Sequence, residues 1–183
     1  YDLWSWSPMK GKTPVRLTKG RENNIVYRYI RTDPTEQSLS TTSPWLLHAM
    51  RDTDKSTGYA WFSPTDNHLD SVRFEPYQFA RQVNRSRQNE VYIFTKENFQ
   101  EFPDLRRSED RFQTSTKISD ANPQQKNYRW GTIELYHWMD WDSVMRTGLL
   151  VKPQGFDSLR SYPTIVNFYE RSSNELHNHP TIF

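Results

Sequence analysis

The sequence predicts an α+β protein with largely antiparallel sheets, on three observations. Runs of β-branched and aromatic residues are mixed with cap-bearing helical patterns, without a regular β-α-β-α rhythm, which argues against a parallel, doubly wound sheet. Aromatic residues make up 15% of the chain while apolar residues of all kinds reach only 34%, so the core must be built from Trp, Tyr and Phe more than from Leu and Ile. The length, 183 residues, suits one domain and is enough to bury such a core.

Taken in order, residues 1–24 mix aromatics with turn formers and read as a connector to a larger polypeptide, with Trp4 and Trp6 docking on the domain. Residues 25–183 form that single domain. "NIVYRYI" is a strand by its β-branched and aromatic content, ended by Pro34. "TTSPWLLHAM" predicts a helix: Ser43 caps it, Pro44 takes the first helical position, and Leu46, Leu47 and Met50 form its apolar face. "GYAWFS" is a second strand. "TDNHLDSVRF" predicts a short helix capped by Asp66 or Asn67, interrupted by Pro76 and resumed in "PYQFARQV". "EVYIFT" is a third strand. Residues 97–130 are polar and irregular, a loop long enough to suggest a working role. "GTIELYHW" is a fourth strand. "DWDSVMRTG" predicts a helix capped by Asp140 and stopped at Gly148. "YPTIVNFYE" is a last strand. No internal repeat or low-complexity segment is visible.

Composition excludes several classes. Formal net charge is +2, from 24 basic and 22 acidic residues, which is no strong electrostatic footprint for nucleic acid. Arg81, Arg85, Arg87 and the pair Arg106, Arg107 are modest patches. Without cysteine there is no disulfide framework, thiol nucleophile or thiolate zinc site. No apolar run reaches the roughly 18 residues of a membrane span. The chain begins at Tyr1, and the expectation is a piece of a larger polypeptide whose address is written elsewhere.

Three polar groups stand on otherwise apolar or aromatic strands: Arg28 in "IVYRYI", Ser63 at the end of "GYAWFS", and Glu134 in "GTIELYHW". A buried charge is costly unless paired, so a convergent Arg and Glu point to a ligand site. Taken singly, each has an ordinary reading: an outward arginine, a local cap and a solvent-facing glutamate. "VYRYIRTDP", "WFSPTDN" and "NYRWGTIELYHW", in that order, resemble the Arg–Ser–Glu branch of the ADP-ribosyltransferase superfamily, which includes cholera-like and polymorphic toxin C-termini. The motif residues stand 35 and 71 positions apart (28 to 63, 63 to 134), over roughly residues 25–145. Thr132 departs from the Gln or Glu common two residues before the catalytic Glu, and Pro64 interrupts the second motif.

The resemblance implies a split β-sandwich with peripheral helices and a single catalytic domain over residues 25–183. It also implies NAD as substrate and transfer of ADP-ribose to a protein or nucleic-acid acceptor. Breaking the nicotinamide–ribose bond passes through an oxocarbenium-like centre. Glu134 would bind the ribose 2′-hydroxyl and stabilise that charge. Arg28 would hold the phosphates, since a guanidinium matches them in a bidentate way. Ser63 would position Glu134. Tyr29, Thr65, Phe74 and Tyr77 would line the NAD site, and Tyr128 and Trp130 would meet the acceptor. No metal is implied. A toxin of this kind is secreted or injected as part of a larger polypeptide, and a cognate immunity protein is expected beside it. Two alternatives remain: a metal-independent ribonuclease using His137 or His68 as base, and a non-enzymatic nucleic-acid or protein binding module. The remaining histidines are His48 and the pair in "LHNHP", His177 and His179, whose i, i+2 spacing could face a metal.

Overall fold

The computed structural model describes residues 1–169 and 171–180, and within them the regular structure is β with single turns of 3-10 helix. Strands β1 (Trp4–Ser5) and β2 (Val15–Arg16) form a small hairpin. Strands β3 (Ile25–Tyr29), β4 (Trp45–Arg51), β5 (Thr57–Ser63) and β6 (His68–Leu69) follow as a four-stranded antiparallel meander. In the second meander β7 (Gln78–Phe79) and β8 (Asn84–Arg85) share one edge of β9 (Tyr92–Glu97). Between the paired positions, four residues of that edge (80–83) oppose two of β9 (94–95), so β7 and β8 are one strand broken by a bulge. Strands β10 (Asp104–Ser108) and β11 (Thr116–Lys117) complete this sheet. Strands β12 (Thr132–Met139) and β13 (Met145–Lys152) make a long separate hairpin.

The α+β expectation, with its split sandwich and peripheral helices, is therefore corrected to an almost purely β architecture. Each predicted helix fails for a local reason. "TTSPWLLHAM" holds β4, buried on both faces: Leu46, Leu47, His48, Ala49 and Met50 are all buried. A continuous apolar run of this length is the same for a central strand and a buried helix. In "TDNHLDSVRF", Asn67 takes a left-handed φ of 54° in the turn joining β5 to β6, so the cap signal was turn chemistry. "PYQFARQV" contains β7 and the bulge. "DWDSVMRTG" is a hairpin turn: the Asp140 carboxylate accepts from the amides of Asp142 (3.0 Å) and Val144 (2.8 Å), Ser143 has φ 59°, and β13 begins at Met145. The polar stretch 97–130 hides β10 and β11. The expected last strand, "YPTIVNFYE", has no regular structure through Tyr169, and Glu170 lies outside the described residues.

The aromatic core follows from composition. On one face of the first meander, Ile30, Leu46 and Tyr59 pack against Phe79, Val83, Tyr92 and Phe94 of the second. Tyr59 sits at the centre, its ring 5.2 Å from Phe79, 5.5 Å from Phe94 and 4.5 Å from Phe112. Its buried hydroxyl donates to the Ala80 carbonyl (2.6 Å), the polar partner a buried Tyr requires. Thr57 completes the join: its hydroxyl donates to the Tyr77 carbonyl (2.7 Å) and accepts from the Phe79 amide (2.8 Å). On the opposite face Tyr27, Leu47, Ala49 and Phe62 are covered by Leu3 and Leu17, so residues 1–24 dock through these leucines. Trp4 and Trp6 are exposed. Asp2 fastens the segment by accepting from the Thr18 hydroxyl (2.7 Å) and pairing with Arg16 (2.6 Å).

Candidate functional site

Strand β12 pairs with β13 along one edge only, and among the described residues no strand pairs with its other edge. Four consecutive residues of this strand, Thr132, Ile133, Glu134 and Leu135, line a cavity of about 490 Å³. Neighbours on a strand point to opposite faces. A cavity touching four in a row therefore lies along the strand's edge, where unpaired backbone N–H and C=O groups project. The other walls are Thr53 and Asp54 from the β4–β5 turn, Pro76, Asn98–Gln100 from the β9–β10 turn, and Leu176 and His177.

Local contacts fix this groove. The Trp130 indole N–H donates to the Phe99 carbonyl (2.6 Å), tying the start of the hairpin to the β9–β10 turn. Gly131 lies so close to β13 that a Cβ there would stand 2.0 Å from the Lys152 carbonyl oxygen. The Asn98 side chain accepts from the amides of Gln100 (2.9 Å) and Glu101 (2.8 Å), shaping the turn. The histidine of the far wall donates from Nε2 to the Asp54 carbonyl (2.9 Å).

The groove is electrostatically closed. Glu134 Oε1 lies 2.6 Å from Lys152 Nζ. Burial works against ionisation of Asp54, but hydrogen bonds from the Ser56 hydroxyl (2.6 Å) and amide (3.1 Å), with the nearby Arg51, outweigh it and hold this carboxyl below its ordinary value. Burial lowers the pKa of His177 and so favours the neutral ring. No charged group in the wall is left without compensation, and Ile133, Leu135, Phe99, Pro76 and Leu176 make the lining largely apolar.

The structure spreads the residues singled out in the sequence over several places. Arg28 lies on β3 with its guanidinium 4.3 Å from the Tyr1 ring centre and its Nη1 donating to the Tyr27 carbonyl (3.3 Å). Ser63 ends β5 and hydrogen-bonds Asp66, lowering that carboxyl's pKa. Neither Arg28 nor Ser63 is in the wall that holds Glu134. Tyr29 donates to Glu36 (2.9 Å), and burial first, then that carboxylate, push its phenol up to about 12. Thr65 reaches the Thr41 carbonyl (3.5 Å). Phe74 packs on the first meander under the Arg51 guanidinium, 4.4 Å away. Tyr77 donates to Glu101 (2.6 Å) and stacks under Lys96 (4.0 Å). Tyr128 and Trp130 do share a cavity, of about 440 Å³, with Asp104 and Lys117.

The histidines also separate. His48 is buried between the meanders, and His68 is exposed near Asp70 (3.4 Å). His137 contacts Thr147 (2.9 Å) on the exposed hairpin. The two histidines of "LHNHP" diverge: His179 stacks on Trp130 (5.2 Å) and meets Gln125 (3.0 Å), while His177 is held at Asp54. Sequence reasoning missed Ile133, Leu135, Leu176 and His177 as groove residues. For Ile133 and Leu135 the signal was their alternation with Thr132 and Glu134 in "TIEL", which is strand patterning; for Leu176 and His177 the sequence carried none.

No family model matches the chain, and no curated protein matches it. Among solved structures, a variant of the AtxE2 isopeptidase with Astexin3-dC4 bound is similar at 13% identity with a TM-score of 0.43, over 74% of this chain. The chain spans 25% of that chain's length. A likeness at this level carries no inference about activity.

Proposed function

We propose that the chain is a protein-docking module whose β12 edge takes up an extended, uncharged peptide segment. The observation that carries this reading is the open strand edge lining a groove of about 490 Å³ whose charges are all matched internally. Strand addition uses these parts: backbone groups on an open edge supply affinity, and a neighbouring pocket receives alternate side chains. The volume lies in the range of built ligand sites. The transferase expectation asks Arg28 and Glu134 to face one dinucleotide. Against it stand the Lys152 bridge on Glu134 and the seat of Arg28 on Tyr1.

The test is a panel of short blocked peptides, apolar and uncharged beside acidic and basic analogues, titrated against the chain and against Leu135→Lys. The docking reading expects the uncharged peptides to bind and the variant to lose them with its fold intact. Failure of every peptide to bind the folded chain overturns it. Transfer of label from NAD to a macromolecule, lost in Glu134→Ala, would instead establish the transferase.

A further inference from the structure

The groove has a match elsewhere on the same chain. Residues 161–169, "SYPTIVNFY", carry no charge and are rich in β-branched and aromatic residues. Ile165, Val166, Phe168 and Tyr169 are 96, 79, 89 and 77% exposed. Such a run is costly to leave in water, and monomeric proteins rarely expose contiguous apolar patches beyond a few hundred Å². The segment is held at both ends. Tyr162 stacks on Phe156 (5.0 Å), and its hydroxyl accepts from the Asp157 amide (2.9 Å). At the far end the Ser172 hydroxyl donates to the Tyr169 carbonyl (2.8 Å). Between these contacts the segment, called the arch below, has no regular secondary structure and leaves its apolar side chains exposed.

We propose that the arch, Tyr162–Tyr169, adds as a strand to the open β12 edge of a second copy of this chain. The inference rests on the docking reading above and names its occupant. Donor and acceptor agree in length, eight residues each (162 to 169 against Thr132–Met139). They agree in charge, an uncharged segment against a groove with no unmatched charge. They agree in chemistry, Ile165, Val166 and Phe168 against Ile133, Leu135 and Leu176. Arch and groove lie on every copy, so two copies can exchange arches reciprocally and close a dimer.

The experiment measures the mass of the full chain in solution across concentration, beside Val166→Pro in the arch and the double variant Ile133→Lys, Leu135→Lys in the groove. Circular dichroism checks that each remains folded, since the core lies in the two meanders. The wild type is expected to dimerise and both variants to be monomers. An equimolar mixture of the two variants should recover a dimer through its one intact junction. A monomeric wild type, or a dimer that neither variant disturbs, overturns the proposal. Because the chain lacks cysteine, Leu135→Cys, Val166→Cys adds a direct reading: a disulfide between chains supports the exchange, and one within a chain overturns it. A blocked YPTIVNFY peptide separates this inference from the docking reading. If it binds the groove while the wild type stays monomeric, only the second-copy occupant falls. If it fails to bind folded Val166→Pro, whose groove is vacant, while other uncharged peptides bind there, only this inference falls; if no uncharged peptide binds that variant, both fall.

Discussion

Tyr59 shows what a single residue does here. Its ring touches three others, and its hydroxyl satisfies the Ala80 carbonyl across the join of the two meanders. Tyr59→Phe keeps the packing but orphans that acceptor, and is expected to cost about 1–3 kcal/mol in chemical denaturation. Tyr59→Ala also leaves a cavity and should cost about 3–5 kcal/mol. His48 gives a second prediction. Burial, helped by Arg81 and opposed by the Phe79 carbonyl, lowers its pKa to about 4. Its depressed folded value means the neutral ring is the folded form. The contribution is whole above the unfolded value of about 6.5 and is lost as pH falls toward about 4. Thermal melts from pH 7 to pH 4 should show this loss, and His48→Leu should flatten the slope. His177 and His179, both lowered by burial, add to the slope in the same direction and stay in the variant.

At the scale of the element, the β12–β13 hairpin is the part on which the proposed docking rests. Gly131 has no room for a side chain beside Lys152. Gly131→Ala must push the start of β12 away from β13, so it should weaken uptake of the uncharged peptides more than it lowers the melting temperature. Hydrogen exchange of β12 amides, read beside the melt, separates the two effects. The same element shows why local signals misled. Asp140 and Ser143 satisfy both a helix cap and a tight hairpin turn, and sequence alone weighs the two equally. Strands β3, β5, β9 and β12 were legible because β-branched and aromatic residues dominate them. Strand β4 was not, because a short apolar run has no period that separates strand from helix, and β13 was not, because its start fell within the cap-and-Gly148 pattern of "DWDSVMRTG". Strands β10 and β11 were hidden by charge: Arg106, Arg107 and Lys117 sit on a half-solvated sheet that tolerates them.

At the scale of the whole molecule, two meanders of similar span (25–69 and 78–117) pack face to face without sequence repetition. The repeat lies in strand order, and many aromatic combinations fill the same space. The separate β12–β13 hairpin leaves the β12 edge unpaired among the described residues. Docking there is apolar, so its affinity should hold between low salt and about 0.5 M NaCl, well beyond the salt at which exposed charge pairs are screened. A steep fall with salt would mean that charge drives it.

The sequence by itself determined the material of this protein: an aromatic core, no cysteine chemistry, near-neutral charge, and segments with strong β preference. Those follow from side-chain identity, which every conformation carries. Only the tertiary structure decided that the capped apolar run "TTSPWLLHAM" holds a strand, because burial on both faces of β4 overrides its local cap. It alone decided that Glu134 meets Lys152 rather than Arg28, because register, not order along the chain, chooses neighbours. The open edge of β12 was likewise beyond the sequence, since whether a strand has a partner depends on the rest of the chain around it.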